Sequence, residues 1–429
     1  MKSNLQGNLL INPIHINAAC TILDEAFFLG TNIFLHFLMA RWLSKEEYGA
    51  FAVAYSVLIL SQSIYSGIFY EPLTIFGSGR YRTNFFKYLS YILYGHLWMS
   101  IIFIIAISLI IFFLFSNSIL RESLIGLIIV IPGVLLLNII RRVFYIELKP
   151  QKAVLYSSAY FFLVLSIILI LKYQEILTVF SSLSVMGGCA LMLGLIFVKT
   201  FNMEKQNIEN NIKSEVSFKK VVKEHFGYAR WAVGAYILNW ISSNIYFVVL
   251  PIFTSLRETA AYRALFNFIA PIQHLIGALN LLFLPVISKK FYNKEIRSFK
   301  RSVNKYTIFI AITTLTYWIF LGSLGEKLIN ILYAGKYSEF SSYLWSFGFL
   351  SFLSTISFPR SCALRAAEKP DKIFIAYFIT AISTILSIIL ISFYRLKGAI
   401  LGVLGITSIN CMNIFLFYNL SIKMEKGCL

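Results

Sequence analysis

Long apolar segments alternate with short polar connections along almost the whole chain. Twelve such segments can be placed, at about 18–43, 48–76, 88–115, 123–144, 153–171, 176–198, 229–253, 259–288, 306–324, 342–364, 373–394 and 399–420. Each is close to the roughly 20 residues that a helix needs to cross a bilayer core. The pattern predicts an all-α polytopic membrane protein with about 12 transmembrane helices.

The longest polar segment, 199–228, divides these predicted spans into two sets of six. Its second part, 216–226, mixes Val and Phe with Lys, which is typical of a short amphipathic helix at a membrane surface. The segment 41–52 also partly resembles 253–263, as in transporters built from two related halves. We therefore expect an N-terminal six-helix lobe at 1–198, a linker at 199–228 and a C-terminal six-helix lobe at 229–429, around a central cavity.

The excess of basic residues falls on alternate connections. The chain has 38 Lys and Arg against 19 Asp and Glu, a formal net charge of +19. With the N-terminus in the cytoplasm, 28 of the 38 basic residues lie on the cytoplasmic side, which is the bias of the positive-inside rule. This bias explains the charge without a nucleic-acid partner, and it predicts that both termini are cytoplasmic.

The first predicted span carries a stripe of polar residues. Ionisable groups cost several kcal/mol in a bilayer core, so they are candidates for function. A helical repeat of 100° per residue brings Glu25, Asn32 and His36 onto one face, with Asp24 beside them. The acidic pair Asp24 and Glu25 is a candidate for ion coupling. The alternative is that both carboxylates lie in the headgroup region.

The eighth predicted span carries a second stripe, with Arg263, Asn267 and His274 on one face. Arginine binds phosphate oxygens through two parallel hydrogen bonds, so this stripe predicts a site for an anionic substrate. Arg230, at the start of the seventh span, could meet a phosphate from the cytoplasm. The alternatives are that Arg263 extends to the outer interface and that Arg230 is an interfacial anchor. Six residues are thus candidates for substrate binding: Arg263, Asn267, His274, Arg230, Asn32 and His36.

Two further features of the spans suggest roles. Glu71 precedes Pro72 near the end of the second span, and proline bends or ends a helix, so both residues are candidates for a gate. A simple helix terminus is the alternative. In the seventh span, Tyr236, Trp240 and Tyr246 are candidates for stacking on sugar rings.

The chain carries none of the common motifs of soluble enzymes. GxSxG, HExxH, P-loop and dinucleotide glycine patterns are absent, and the five cysteines show no CxxC spacing. No cofactor and no metal site are therefore predicted, and any active transport must draw on an ion or substrate gradient.

Three segments resemble those of a known family. The segment 38–51, LMARWLSKEEYGAF, resembles the ARxLsxeeyGxfa signature after the first span of bacterial polysaccharide flippases. These belong to the multidrug/oligosaccharidyl-lipid/polysaccharide (MOP) exporter superfamily. The segment 71–79, EPLTIFGSG, and the AYR at 261–263 are also similar to its members.

The resemblance implies a flippase that moves undecaprenyl-pyrophosphate-linked oligosaccharide units across the bacterial inner membrane by alternating access. It implies membrane lipids, an O-antigen polymerase and a chain-length regulator as partners, and a role in O-antigen and lipopolysaccharide biosynthesis. One alternative is the membrane-embedded O-antigen polymerase, which would need a large periplasmic loop. The other is a small-molecule or drug antiporter of the same superfamily, with acidic residues deep in its lobes. The longest loop, 199–228, is cytoplasmic by the charge rule, which favours transport over catalysis.

Overall fold

The computed structural model describes residues 13–113, 118–209, 216–367 and 369–424, which are almost entirely helical. The first seven helices are α1 (Pro13–Trp42), α2 (Lys45–Tyr65), α3 (Glu71–Ser78), α4 (Phe85–Phe113), α5 (Ser118–Ile146), α6 (Pro150–Tyr173) and α7 (Val179–Glu209). The others are α8 (Phe218–Phe253), α9 (Leu256–Phe266), α10 (Ala270–Tyr292), α11 (Ile296–Tyr333), α12 (Leu344–Ile356), α13 (Phe358–Ala366), α14 (Pro370–Ser387) and α15 (Ile389–Met424). A π-helical turn, Ser66–Tyr70, joins α2 to α3.

Nine helical segments of the described chain are long and apolar enough to cross a membrane. The predicted eighth, tenth and eleventh spans are instead divided between consecutive shorter helices. Pro271 and Pro359 stand at the second position of α10 and α13, where proline begins a new helix but cannot continue the preceding one. The eleventh span is divided between α14, which ends at Ser387, and the first residues of α15, which come before its non-helical residue Arg395. The all-α polytopic architecture is confirmed, and its twelve segments include these interrupted ones.

Contacts divide the described residues into two compact units. The first falls within Met1–Leu35, Tyr65–Phe115 and Leu124–Arg230, and the second within His36–Ile64, Ser116–Ser123 and Trp231–Leu429. The helix α1 therefore contributes to both units, as does α8. The first turns of α8 cover residues 218–226 of the segment 216–226, whose place at a membrane surface stays a prediction. Residues 210–215 of the predicted linker lie outside the described ranges. The lobe boundaries at 198 and 229 stay a prediction.

In the first unit, α5 and α7 approach closely through glycine. A Cβ atom added to Gly187 on α7 would lie 2.5 Å from the backbone carbonyl group of Ile129 on α5 and 2.6 Å from Val130 Cα. Small residues at such contacts let membrane helices pack backbone to backbone. The helix α4 instead exposes large apolar side chains along one face, among them Leu97, Ile105 and Leu109, as expected of a helix that faces lipid.

In the second unit, the end of α1 and the start of α2 are tied to later helices. Gly49 lies so close to α9 that an added Cβ would collide with the Leu256 carbonyl. Lys336 Nζ donates a hydrogen bond to the Leu43 carbonyl at 2.7 Å. Three ion pairs link the start of α2, the start of α9, α15 and the turn after α11: Lys45 with Glu339, Arg257 with Glu46, and Arg395 with Glu258. An apolar core between α10, α11, α13, α14 and α15, which includes Phe299 and Tyr418, completes the unit.

The contact at Gly187 predicts different outcomes for two adjacent substitutions. Gly187→Ala should destabilise the protein by about 1–3 kcal/mol, because the new methyl group meets backbone atoms that cannot move without separating the helices. Gly188→Ala is the matched control, since a Cβ added to Gly188 has open space around it, with no side chain and no backbone of another helix within 4 Å. The control should be neutral or stabilising by up to about 1 kcal/mol, because alanine favours helix over glycine. Thermal unfolding of both variants in detergent checks this, and equal melting temperatures would contradict the close packing.

Candidate functional site

Arg263 is a buried cation near the end of the short helix α9. The helix begins at Leu256, after Ser255 accepts a hydrogen bond from the Glu258 N–H as its cap, and it ends at Phe266. Arg263 lies about 10 Å along the helix from its first residue, at 1.5 Å per residue. Only 7% of the residue is exposed. The interruption of the helix before Pro271 leaves Asn267 in the turn that follows, where it is also buried.

The guanidinium of Arg263 is surrounded by neutral groups. Its Nη2 donates a hydrogen bond to His36 Nε2 at 2.7 Å. Because a guanidinium can only donate, His36 accepts through Nε2 and carries its proton on Nδ1. The charge also lies 5.0 Å from the ring centroid of Tyr55 and 4.8 Å from that of Phe247. No ion pair within the described ranges includes Arg263, and its Nε has no hydrogen-bond partner there.

Asn267 connects this arginine to two buried tyrosines. Its Nδ2 donates to the Tyr48 hydroxyl at 2.8 Å and to the Tyr333 hydroxyl at 3.3 Å. The Tyr333 hydroxyl in turn donates to the Ala264 carbonyl at 2.8 Å. We call Arg263, His36, Asn267, Tyr48 and Tyr333 the Arg263 cluster. Its members come from α1, α2, α9, the turn after α9, and α11, all within the second unit.

The Arg263 cluster is suited to binding an anion. Removing a cation from water is costly unless an opposite charge or several hydrogen bonds replace the lost hydration. Here the replacement is incomplete, since the described partners are uncharged and one N–H stays unbonded. An anionic group that reached Arg263 would supply the missing charge. Arginine offers a forked pair of donors that fits phosphate or carboxylate oxygens.

The structure brings together three of the six residues predicted to bind substrate: Arg263, Asn267 and His36. His274 lies beyond the helix break, on α10, and is exposed. Arg230 is exposed on α8, and the Asn32 amide donates to the Phe28 carbonyl of its own helix at 3.1 Å. The binding role of all six stays a prediction. Sequence reasoning did not select Tyr48 or Tyr333. A signal for Tyr48 exists in the sequence, because Tyr48 and Tyr55 are seven residues apart and therefore share one face of α2.

The acidic pair of α1 lies in the first unit and includes a strong ion pair. Asp24 is fully buried and accepts hydrogen bonds from Arg141 Nε at 3.1 Å and Nη2 at 2.6 Å. The Tyr145 and Ser157 hydroxyls also donate to it. Glu25, half exposed, lies 3.0 Å from the same Nη2. Arg141 stands near the end of the fourth predicted span, where the charge rule counts it among the cytoplasmic basic residues, so sequence reasoning missed this partner. The role of Asp24 and Glu25 in ion coupling stays a prediction.

The predicted gate residues stand where the second span changes from α-helix to π-helix. Pro72 has no N–H with which to donate to the Ile68 carbonyl. His225 Nδ1, from α8, donates to that carbonyl instead, at 2.8 Å, and its Nε2 accepts from the Tyr88 hydroxyl at 2.8 Å. Glu71 accepts a 2.6 Å hydrogen bond from the Tyr228 hydroxyl, also on α8. The start of α8 is thus hydrogen-bonded to the irregular part of the second span. π-helical turns are frequent at functional sites, which keeps this position a candidate for a gate.

Burial lowers the pKa of the His225 imidazole, although the Ile68 carbonyl and Glu224 act in the opposite direction. Burial, with the hydrogen bond to Glu71 and its charge, raises the pKa of Tyr228 to about 12. Both groups are therefore uncharged at neutral pH in the folded protein. Across the described residues, no three His, Cys, Asp or Glu side chains are grouped to hold a metal ion.

The lowered pKa of His225 predicts a loss of stability in acid. An unfolded histidine takes up a proton below about pH 6.5. The folded one does so only at lower pH, so its contribution to stability is complete above pH 6.5 and falls as the pH decreases. We expect the melting temperature to fall less between pH 7.5 and 5.5 in His225→Asn, whose amide can still donate to Ile68. The exposed His274→Asn is the control and should behave as the wild type. Identical pH profiles for His225→Asn and the wild type would contradict the prediction.

The fold is similar to those of several solved transporters. An inward-facing multidrug resistance MATE transporter of the MOP superfamily matches with a TM-score of 0.76 at 10% identity, over 97% of this chain and 99% of that one. The lipid II flippase MurJ in an inward closed conformation matches with a TM-score of 0.71 at 16% identity, over 94% of this chain and 87% of that one. A MOP transporter from Pyrococcus furiosus matches with a TM-score of 0.62 at 12% identity, over 99% and 100%.

These likenesses show that the chain has the fold of MOP-superfamily transporters. A search of curated protein sequences found no match. A family model described as polysaccharide biosynthesis protein matches residues 38–342, which is well over half of the chain. The protein therefore belongs to the polysaccharide biosynthesis protein family and has the MOP-superfamily fold.

Proposed function

We propose that this protein is a flippase for undecaprenyl-pyrophosphate-linked oligosaccharides, such as O-antigen repeat units. The observation that carries the proposal is the buried Arg263 guanidinium with neutral partners, in a chain of a polysaccharide biosynthesis family. A pyrophosphate provides the anion that this cation lacks. The structural likeness to a lipid II flippase supports a lipid-linked substrate for the same fold. Arg263 also disfavours the antiporter alternative for cationic drugs, because like charges repel in a low-dielectric site.

The proposed setting is the bacterial inner membrane, with both termini and the linker at 199–228 in the cytoplasm. The distribution of Lys and Arg supports this orientation. Six helices on each side of the linker, at 1–198 and 229–429, would form the two lobes. Substrate would enter from the cytoplasmic leaflet, where Arg230 and His274 are candidates for its first contacts and Asn32 for a later one. An O-antigen polymerase and a chain-length regulator would use the product.

Alternating access requires contacts that can open, and the second unit contains suitable ones. The start of α2 is held to the start of α9 by the pair Arg257 with Glu46, and to the short helical turn after α11 by the pair Lys45 with Glu339. Exposed ion pairs of this kind contribute only about 0–1 kcal/mol each, so their loss is a small barrier to opening. Glu71 and Pro72, at the π-helical turn of the second span, are the proposed hinge of the opposite gate.

We further propose that Glu25, with Asp24, couples transport to an ion gradient. Asp24 is bonded on both oxygens and neutralised by Arg141, so it has little capacity left for an external ion. Glu25 shares the same guanidinium and is half exposed, so a proton or sodium ion can reach it. Protonation of Glu25 would leave Arg141 paired with Asp24 alone.

Replacement of Arg263 tests the substrate assignment. Arg263→Ala should lower flipping at least about tenfold, because a lost charge-assisted hydrogen bond weakens phosphate binding by that order. Arg263→Lys should retain part of the activity, since it keeps the charge but not the forked geometry. The measurement is the exposure of undecaprenyl-pyrophosphate oligosaccharide to a membrane-impermeant glycosidase in proteoliposomes.

Arg297→Ala is the control for this test, because Arg297 is an exposed arginine near the start of α11 and belongs neither to the Arg263 cluster nor to the proposed gates. It should leave flipping within about twofold of the wild type, since an exposed charge contributes little. Wild-type flipping by Arg263→Ala would remove Arg263 from the site.

In cells, a deletion strain should accumulate single repeat units on the cytoplasmic face. Unpolymerised units on the periplasmic face would point to the polymerase instead.

The coupling proposal predicts different effects for the two carboxylates. Glu25→Gln should reduce the dependence of flipping on an imposed proton or sodium gradient while leaving the amount of folded protein unchanged. Asp24→Asn should mainly reduce the folded protein, because removing one partner of a buried ion pair costs about 3–5 kcal/mol. Flipping under opposite gradients and size-exclusion profiles measure the two effects. Unchanged gradient dependence in Glu25→Gln would reject coupling at this pair.

A further inference from the structure

A neutral polar cavity lies inside the second unit. Its volume is about 360 Å³, and α8, α12, α13, α14 and α15 line it together with the region around the break between α9 and α10. Eleven of its 18 lining residues carry a hydroxyl or an amide group, and none carries a charge. In a chain with 38 Lys and Arg, a cavity of this size without one of them is suited to an uncharged polar ligand.

The hydroxyl groups of the cavity present mainly acceptors to a ligand. Ser242, Ser243 and Thr407 each donate their proton to the carbonyl four residues earlier in their own helix, at 3.0, 2.6 and 2.7 Å. Thr380 does the same at 2.7 Å. The Ser243 oxygen also accepts a hydrogen bond from Asn244 Nδ2 at 3.1 Å. The lone pairs that remain on these hydroxyl oxygens are acceptors, so a ligand must supply hydrogen-bond donors. Amides such as that of Asn410 offer both donors and acceptors.

The other lining groups provide apolar faces and a suitable size. Phe266, Phe358 and Tyr377 present aromatic rings, on which the C–H face of a sugar can lie. The volume falls within the range of about 300–1,000 Å³ that is typical of small-molecule sites. Hydroxyl acceptors, amides and aromatic rings together match a ligand that carries many O–H donors around an apolar ring face.

Other ligand classes fit less well. A phosphate or carboxylate would meet oxygen lone pairs with no cation among the 18 lining residues. A metal cation prefers carboxylate oxygens, and the lining has none. We propose that the cavity is a binding site for an uncharged sugar, and, resting on the proposed flippase function, that this sugar belongs to the glycan being moved.

The cavity lies next to the Arg263 cluster, so one lipid-linked glycan could place its phosphate at Arg263 and a sugar in the cavity. Phe266, which lines the cavity, stands one helical turn after Arg263 on α9. Phe247 contacts both, with its ring centroid 5.4 Å from that of Phe266 and 4.8 Å from the Arg263 guanidinium. A lipid-linked glycan joins its first sugar directly to the pyrophosphate. Arg263 would hold the phosphate, and the cavity would hold a neighbouring neutral sugar.

Saturation-transfer NMR on the full chain in lipid nanodiscs tests the proposal without knowledge of the natural glycan. The probes are free N-acetylglucosamine and galactose as neutral sugars, and glucuronate as the charged one. We expect saturation of at least one neutral sugar and little of glucuronate. Asn239→Leu and Asn410→Leu, which replace cavity amides by apolar groups of similar size, should weaken that binding about tenfold, the effect of one lost buried hydrogen bond. Ser408→Ala, on the exposed face of α15 beside Thr407, is the matched control and should bind as the wild type.

Three outcomes would overturn the assignment. The first is equal sugar binding, or none, in the wild type and both Asn variants. The second is binding of glucuronate as strong as that of the neutral sugars. The third is stabilisation by sodium chloride over choline chloride that disappears in Asn410→Leu, which would identify a cation site. Arg263→Ala separates the two proposals: it should keep neutral-sugar binding while losing flipping. Absent sugar binding with intact Arg263-dependent flipping rejects the cavity assignment alone.

Discussion

The cost of burying a cation away from water is the constraint on which the polar interior of this protein depends. Two buried arginines meet that cost in different ways. Arg141 is neutralised by Asp24, whose remaining lone pairs accept hydrogen bonds from the Tyr145 and Ser157 hydroxyls. Arg263 is held by an imidazole nitrogen and by aromatic faces, and its charge is not cancelled by a described residue. The first arrangement is complete in itself, and breaking it would strand a charge. The second leaves the charge without a counterion among the described residues, and this is the reason for the proposal that an anion binds there.

Breaks in the helices at Pro271 and Pro72 determine where the polar side chains of the interior form hydrogen bonds. Pro271 separates α9 from α10, so Asn267 lies in a turn and can reach Tyr48 and Tyr333. Pro72 similarly has no proton for the Ile68 carbonyl, and His225 supplies one from α8. In a membrane a free carbonyl is costly, so each interruption needs a partner from another helix. A hydrogen bond between two helices can break and form more readily than one within a helix, which gives these positions the capacity to change conformation.

The helical period and the charge rule predicted much of this arrangement from the sequence. The all-α fold and its twelve segments follow from hydropathy, and the 100° repeat selected His36, Arg263 and Asn267, which the structure brings together. The same repeat treated the eighth span as one straight helix and so grouped His274 with Arg263. Arg141 was missed because a basic residue near a span end looks like any interfacial charge. Trp240 and Tyr246, which were predicted as sugar contacts, are buried. The Trp240 indole donates a hydrogen bond to the Ser56 carbonyl, and the Tyr246 hydroxyl is hydrogen-bonded to the Ser387 hydroxyl. The cavity could not be predicted, since its hydroxyls are spread over several helices and single serines have no local pattern.

The different states of the two arginines bear on how a flippase can both bind and release a charged headgroup. A site that neutralised Arg263 with a fixed carboxylate would repel a pyrophosphate, whereas a site of several unpaired arginines would hold it too tightly to release. One cation with neutral partners lies between these limits, because His36 and the Tyr55 and Phe247 rings can take back the guanidinium when the anion leaves. Contacts with neutral sugar add binding energy without adding charge. In the proposed flippase, affinity for the glycan and the ease of release of the phosphate would therefore be set by separate parts of the second unit.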